Sequence, residues 1–140
     1  MKVIVDTSVW SLALRRKKTK LNDSEIQIVN ELIELIKESR VVLIGPIRQE
    51  ILSGIVSIAQ FNKLKKKLDA FEDFSIKQND YEKASIFFNV CRKNGIQGSH
   101  IDFLICAVSN NNDLSLFTTD KDFENFSKHV KIQFHKVRES

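Results

Sequence analysis

Five acidic residues sit where alternating strands and helices would gather them. Asp6 directly follows the β-branched run Val3-Ile4-Val5. Glu50 sits about one turn into the helix that follows Val41-Val42-Leu43-Ile44. Asp120, with Asp122 close behind, follows Leu116-Phe117-Thr118-Thr119. Asp102 stands between Ile101 and Phe103, at the mouth of a nearly all-apolar segment that continues through Val108. Carboxylates crowded on one rim repel one another unless a cation neutralises them. Mg²⁺ takes oxygen ligands, keeps several waters and often shares its sphere with phosphate. One or two such ions activate a water and stabilise the leaving oxygen of a phosphodiester. Metal-assisted hydrolysis is therefore the chemistry these residues suit together.

Each aspartate also has a simpler reading. Asp is a favoured helix cap, and a carboxylate in the first turn complements the helix dipole. Asp102 fits capping least well, because an ionised group beside a helix apolar on every face needs a partner. No Lys or Arg is near it in sequence, and His100 is the nearest basic-capable neighbour.

The elements that must position these acids follow from the apolar pattern. Val3–Val5 and Val41–Ile44 read as buried strands, Leu114–Thr118 as another, and Phe74–Ile76 and Val130–Phe134 as two more. Between them lie helical segments. Asp6-Thr7-Ser8 opens one carrying Val9, Trp10, Leu12 and Leu14. Asn22-Asp23-Ser24-Glu25 opens a long amphipathic one whose apolar positions run from Ile26 to Ile36. Gly45-Pro46 ends the second strand and starts the helix of Glu50, with Pro46 suited to its first position. Further helices are predicted over residues 60–71, 79–94, 101–110 and 120–128, with a turn at Asn110-Asn111-Asn112-Asp113. Strands alternating with helices predict an α/β fold with a short, mainly parallel central sheet of about five strands sandwiched by helices. In such a sheet, ligands bind beyond the carboxyl ends of the strands, where these acids lie.

The chain has 140 residues, enough for one domain, residues 1–140, with a sizeable core. Hydrophobic residues make up 42% and charged residues 29%, which excludes global disorder. Cys91 and Cys106 stand alone, so neither a disulfide framework nor a structural zinc site is expected, and a reduced cytoplasmic setting is. No stretch is apolar enough for a signal-peptide core or a membrane span. The net charge of +4 hints at a polyanionic partner. It is concentrated in two runs, Arg15-Arg16-Lys17-Lys18-Thr19-Lys20 and Lys63-Leu64-Lys65-Lys66-Lys67, each of which could equally be a solvated face. An acidic metal pocket flanked by basic surface suits a nuclease, since cations attract the phosphate backbone.

Four segments carry a family resemblance. Val3-Ile4-Val5-Asp6-Thr7-Ser8-Val9-Trp10 resembles the opening of a PIN domain, specifically of a VapC-type toxin from a toxin–antitoxin pair. Ile47–Gly54 resembles that family's glutamate-bearing helix. Ile101-Asp102-Phe103-Leu104-Ile105-Cys106-Ala107 resembles its D-x-L-I-A-A segment, with Cys106 where Ala is frequent. Leu116–Phe123 resembles its closing T-x-D-x-D-F segment. The order matches, and the four segments span essentially the whole chain. The resemblance implies a metal-dependent endoribonuclease. Asp6, Glu50, Asp102 and Asp120 would form an acidic quartet around Mg²⁺ or Mn²⁺. Ser8 and Thr118 would be supporting hydroxyls, and Asp122 an acid whose role differs among relatives. It further implies an RNA substrate, a homodimer, and inhibition by a small DNA-binding antitoxin whose tail occupies the active-site groove.

Rival classes are a PIN-like module that binds RNA or protein without cutting it, and an α/β phosphatase. Loss of an acid would mark the first, but all four are present. The second often places a D-x-D pair after its first strand, and Ser8 stands where the second Asp would be. A P-loop NTPase is excluded, because no G-x-x-x-x-G-K-[ST] occurs. Trp10, Cys91 and Cys106 are expected in the core, and Phe87 and Phe88 in core or dimer surface. His100 is expected at the surface or beside the acids, and His129 and His135 are expected to be exposed.

Overall fold

Val3, Ile4 and Val5 form β1 and are wholly buried, because β1 has a strand on each side and helices over its faces. The computed structural model describes residues 1–139. Its elements run β1 (Val3–Val5), α1 (Thr7–Leu14), a single 3₁₀ turn (Lys18–Lys20) and α2 (Asp23–Lys37). Next come β2 (Val41–Val42), α3 (Gly45–Leu52), α4 (Ile58–Leu68) and α5 (Gln78–Lys93). The chain closes with α6 (His100–Asn111), β3 (Ser115–Phe117) and α7 (Asp122–Phe126). The order alternates strand and helix, as the sequence predicts.

The sheet is parallel, in the order β2-β1-β3. Val3 pairs with Val41 and Ser115, and Ile4 with Val42 and Leu116. It has three strands rather than about five. The two outer strands expected from sequence are each reduced to a single bridge, Leu43 with Asp73 and Leu116 with Phe134. Phe74 N–H donates to Leu43 O at 2.7 Å, Leu116 N–H to Gln133 O at 2.8 Å, and His135 N–H to Leu116 O at 2.8 Å. Asp73, Ser75, Lys131 and Gln133 are exposed, so these edge segments bury only one face and pair only briefly.

Helix ends follow local chemistry. Asn22 and Glu25 close a capping box at the start of α2. Ser57 caps α4 through Gln60 N–H, starting it before residue 60, and α4 ends at Leu68. The expected turn at Asn110–Asp113 begins later, because α6 continues through Asn111. The asparagines there are used in packing. Asn111 and Asn112 donate to Asp80 Oδ1 at 2.9 and 3.3 Å, and Lys77 N–H donates to Asp80 Oδ2 at 2.9 Å. Asp80 is thus fully buried yet satisfied, and it ties the start of α5 to the end of α6.

The core is one continuous cluster around the sheet. Trp10 is buried within it, its indole N–H donating to Val5 O at 3.1 Å and its ring edge-on to Phe71. In α6 the run Phe103–Ser109 is buried on every face. Burial of each large apolar side chain there contributes roughly 1.5–3 kcal/mol, so the position of α6, and with it Asp102, is firmly fixed. Gly98 precedes that helix because nothing larger fits. A Cβ there would meet Phe126 at 2.6 Å and Phe103 at 2.9 Å.

His135 is not exposed as expected. Its Nε2 lies 2.6 Å from Oε2 of Glu31, itself buried on α2, and Arg138 donates to both Glu31 oxygens. Burial pushes the Glu31 carboxyl up, but the His135 and Arg138 hydrogen bonds outweigh it and hold its pKa below the ordinary value. The last residues described are thereby strapped to α2. Among the described residues no helix is long and apolar enough to cross a membrane.

Candidate active site

The carboxyl end of β1 is the centre of the site. Asp6 is the N-cap residue of α1 by backbone position, but its side chain makes no capping hydrogen bond. Its Oδ2 instead accepts from Ser8 Oγ and Thr118 Oγ1, both at 2.8 Å. Each hydroxyl also accepts a backbone N–H from the loop after β3: Thr119 to Ser8 Oγ and Asp120 to Thr118 Oγ1, both at 3.0 Å. The exits of β1 and β3 are therefore stitched together through one buried carboxylate. Asp120 Oδ1 is turned back to accept Asp122 N–H at 2.9 Å.

Glu50 approaches from α3. Pro46 in the first turn of that helix fixes its start just beyond β2. Glu50 Oε1 accepts from Thr7 Oγ1 at 3.1 Å, so α1 orients it directly. Two residues earlier, Arg48 binds Asp73 at 2.8 Å and the carbonyls of Leu68 and Phe71. That clamp holds α3 against the chain leaving α4.

Asp102 does take part in capping, contrary to the expectation from its apolar neighbours. It is the third residue of α6, and Ser99 and Asp102 form a capping box, with both hydrogen bonds at 3.0 Å. Its Oδ2 accepts Ser99 N–H, and its Oδ1 has no partner among the described residues. Local capping and a place in the cluster are compatible, since each uses a different oxygen.

The same division holds for all four acids. Asp6, Glu50, Asp102 and Asp120 each commit one carboxylate oxygen to a protein donor and leave the other free among the described residues. The four are close enough to feel one another. Burial first, then repulsion from Asp6 and Asp102, raises the Glu50 pKa, and Thr7 only partly offsets this. Burial first, then repulsion from Asp120 and Asp6, raises that of Asp102 against the Ser99 hydrogen bonds. No basic side chain contributes to either shift. The donor set is all oxygen and net negative, which is what a hard divalent cation requires. Among the described residues no three such groups already enclose a point where one ion could sit.

Asp122 stands apart. It is exposed in the first turn of α7, and its carboxylate has no hydrogen-bond partner among the described residues. His100 stacks on Phe88, with ring centroids 5.0 Å apart, and is exposed. Cys106 is buried one turn beyond Asp102. Burial, with lesser repulsion from Asp102, drives its thiol far above the ordinary range, so it remains neutral. Thr7, Arg48, Ser99 and Gly98 were not singled out from sequence as supports of the site. The S-x-x-D spacing of Ser99 and Asp102 is a capping-box signature and the one local signal that was legible.

The family model described as "PIN domain" matches residues 3–129. No curated protein matches the sequence. Several solved structures resemble the fold. FitAcB from Neisseria gonorrhoeae has a TM-score of 0.74 at 18% identity, covering 96% of this chain and 97% of that one. VapBC2 from Rickettsia felis, bound to a DNA fragment from their promoter, has a TM-score of 0.74 at 16% identity, covering 96% and 98%. VapBC-1 from nontypeable Haemophilus influenzae has a TM-score of 0.68 at 13% identity, covering 98% of each. At these identities the likeness is one of fold.

Proposed function

The chain belongs to the PIN-domain family, and on that premise we propose that it is a metal-dependent endoribonuclease, the toxin of a VapC-type toxin–antitoxin pair. The observation that carries the reading is the shared arrangement of the four acids. Each has one oxygen held by the protein and one free among the described residues, and no basic side chain contributes to the shifts of Glu50 and Asp102. Asp6 and Asp102 are the principal ligands for Mg²⁺ or Mn²⁺, joined by Asp120 and, directly or through water, by Glu50. When bound, the ion neutralises the cluster and the substrate phosphate and lowers the pKa of a water.

The protein's own part is orientation. Ser8 and Thr118 hold the Asp6 carboxylate in one rotamer and leave Oδ1 open. Thr7 holds Glu50, whose free Oε2 is available to position the attacking water or accept its proton. Ser99 fixes Asp102 at the start of a rigid helix. Asp122, two residues beyond Asp120, is a supporting acid at the rim.

The unit of function in this reading is residues 1–140 as one nuclease domain, a cytoplasmic homodimer held inactive by a small DNA-binding antitoxin. The fold likeness to VapBC2, solved on promoter DNA, supports a partner of that kind. The experiment is incubation of partner-free protein with total cellular RNA and Mn²⁺ or Mg²⁺, beside EDTA and Asp6→Asn controls. Discrete fragments that disappear in both controls are expected. Cleavage that persists in EDTA would refute the metal-dependent reading. RNA left intact with either metal, alongside Mn²⁺ binding by titration, would refute the nuclease.

A further inference from the structure

The two basic runs, far apart in sequence, meet in space. Arg15, Arg16 and Lys17 at the end of α1 and Lys63 and Lys67 on α4 line one open cleft of about 550 Å³. Gln60, Lys63 and Lys67 follow at helical spacing and share a face of α4, while Leu64 turns into the core beneath them. Helix geometry therefore splits the lysine run. Lys65 faces Asp69 at 3.4 Å, and neither it nor Lys66 lines the cleft. Of the five cations only Arg16 has an acidic partner, Glu25 at 2.8 Å. Arg15, Lys17, Lys63 and Lys67 have none among the described residues. Lysines that merely solvate a helix spread apart. Five cations around one concavity focus a positive field, which favours a polyanion.

The cleft is joined to the acidic centre by α1 and α3. Asp6 stands at the start of α1 and Arg15 at its end, about 13 Å away at ~1.5 Å per residue. At the near end Thr7 holds Glu50. At the far end Gly54, just past α3, lies against the Arg15 guanidinium. We propose that this cleft is a second RNA subsite. It holds backbone phosphates of the substrate about four nucleotides from the bond being cut, at ~3.4 Å of rise per stacked nucleotide. The proposal rests on the nuclease reading for its register but not for its affinity. An acidic peptide is the other polyanion such a cleft could take. RNA is favoured because α1 sets the cleft about 13 Å from Asp6, within reach of a single strand that also enters the acidic centre. Leu14, Ile55 and Leu64 line its floor, but the exposed Val56 and Ile58 do not, and five of its nine lining residues are cations.

The test uses the full chain free of any partner, with Lys63→Ala/Lys67→Ala, the charge-keeping Lys63→Arg/Lys67→Arg, and Lys65→Ala/Lys66→Ala. Binding of single-stranded RNA oligonucleotides is measured in EDTA against salt. The slope of log affinity on log salt should fall by about 1.4 in Lys63→Ala/Lys67→Ala, return in the arginine pair, and stay unchanged in Lys65→Ala/Lys66→Ala. In Mn²⁺, lengthening the RNA beyond about four nucleotides on one side of the cut should raise kcat/KM for the wild type, and Lys63→Ala/Lys67→Ala should lose that gain. An unchanged slope, an equal fall in both alanine pairs, or a retained length gain would overturn the subsite. RNA binding kept while binding of a protein partner is lost would assign the cleft to an acidic peptide instead. If the wild type cut no RNA, the nuclease reading would fail, and the slope measured in EDTA would still decide whether the cleft holds RNA.

Discussion

Replacing Asp102 by Asn separates its two roles. The amide oxygen of Asn still accepts Ser99 N–H, so the capping box at the start of α6 survives. What is lost is the charge. Its attraction to the helix dipole is worth about 0.3–1 kcal/mol, while removal relieves burial of an ionised group and repulsion from Asp120 and Asp6. For 140 residues the unfolding entropy is about 0.3 kcal/mol per degree, so 1 kcal/mol corresponds to about 3 °C. The metal-free variant should therefore melt within about 3 °C of the wild type. The difference should appear on adding metal. A ligand at about 100 times its dissociation constant stabilises by roughly 2.7 kcal/mol, a Tm rise of about 9 °C. Where Asn weakens binding tenfold, the rise at the same Mn²⁺ concentration falls to about 5 °C, and where it weakens binding a hundredfold, to about 1 °C. Thermal melts of both proteins in EDTA and across a Mn²⁺ titration give every quantity needed. A full 9 °C rise in the variant would remove Asp102 from the metal site. A metal-free variant much less stable than the wild type would mean that the carboxylate is structural.

The same pair of proteins carries a pH prediction. Because the Asp102 pKa is raised on folding, the native state binds more protons than the unfolded chain between the ordinary and the raised value. Its stability contribution therefore falls as pH rises through that window. In EDTA the Tm of Asp102→Asn should gain on that of the wild type as pH rises from acid to neutral, and a constant difference would contradict the raised value. Thr118→Val removes a hydrogen bond to the buried Asp6 carboxylate and the acceptor of Asp120 N–H. It should lower stability by roughly 1.5–3 kcal/mol and depress metal-stimulated cleavage more than RNA binding. Equal losses of both would mean the hydroxyl acts only through the fold. Gly98→Ala places a methyl against Phe126 and Phe103 and should cost roughly 1–3 kcal/mol, read by urea denaturation. An unchanged midpoint would show that the two rings can move aside.

Much of the fold was legible because it depends on local patterns. Val3–Val5 reads as a central strand since a short β-branched run, apolar on both faces, suits a strand covered on both sides. The all-apolar run after Asp102 reads as a central helix for the same reason, and α6 is one. The outer strands are shorter than their composition suggests. Phe74–Ile76 and Val130–Phe134 have strand-like composition, but an edge segment pairs on one side only, and each keeps a single bridge. The burial of His135 is not legible locally, because its partner, Glu31, lies 104 positions away in sequence.

For the site, residue order alone supplies the available groups: Asp6, Asp102 and Asp120 beside a strand end or helix mouth, and Glu50 about one turn into its helix. Residue type and spacing suffice for that, because a strand end fixes where the next side chain emerges. How each acid is held depends on contacts between distant parts of the chain. Thr118 reaches Asp6 across 112 positions and Thr7 reaches Glu50 across 43, and such contacts depend on the parallel register rather than on any local pattern. The basic runs follow the same rule. Their charge is written in the sequence, but which lysines share a concavity with Arg15 is set by the face of α4 that packs inward through Leu64.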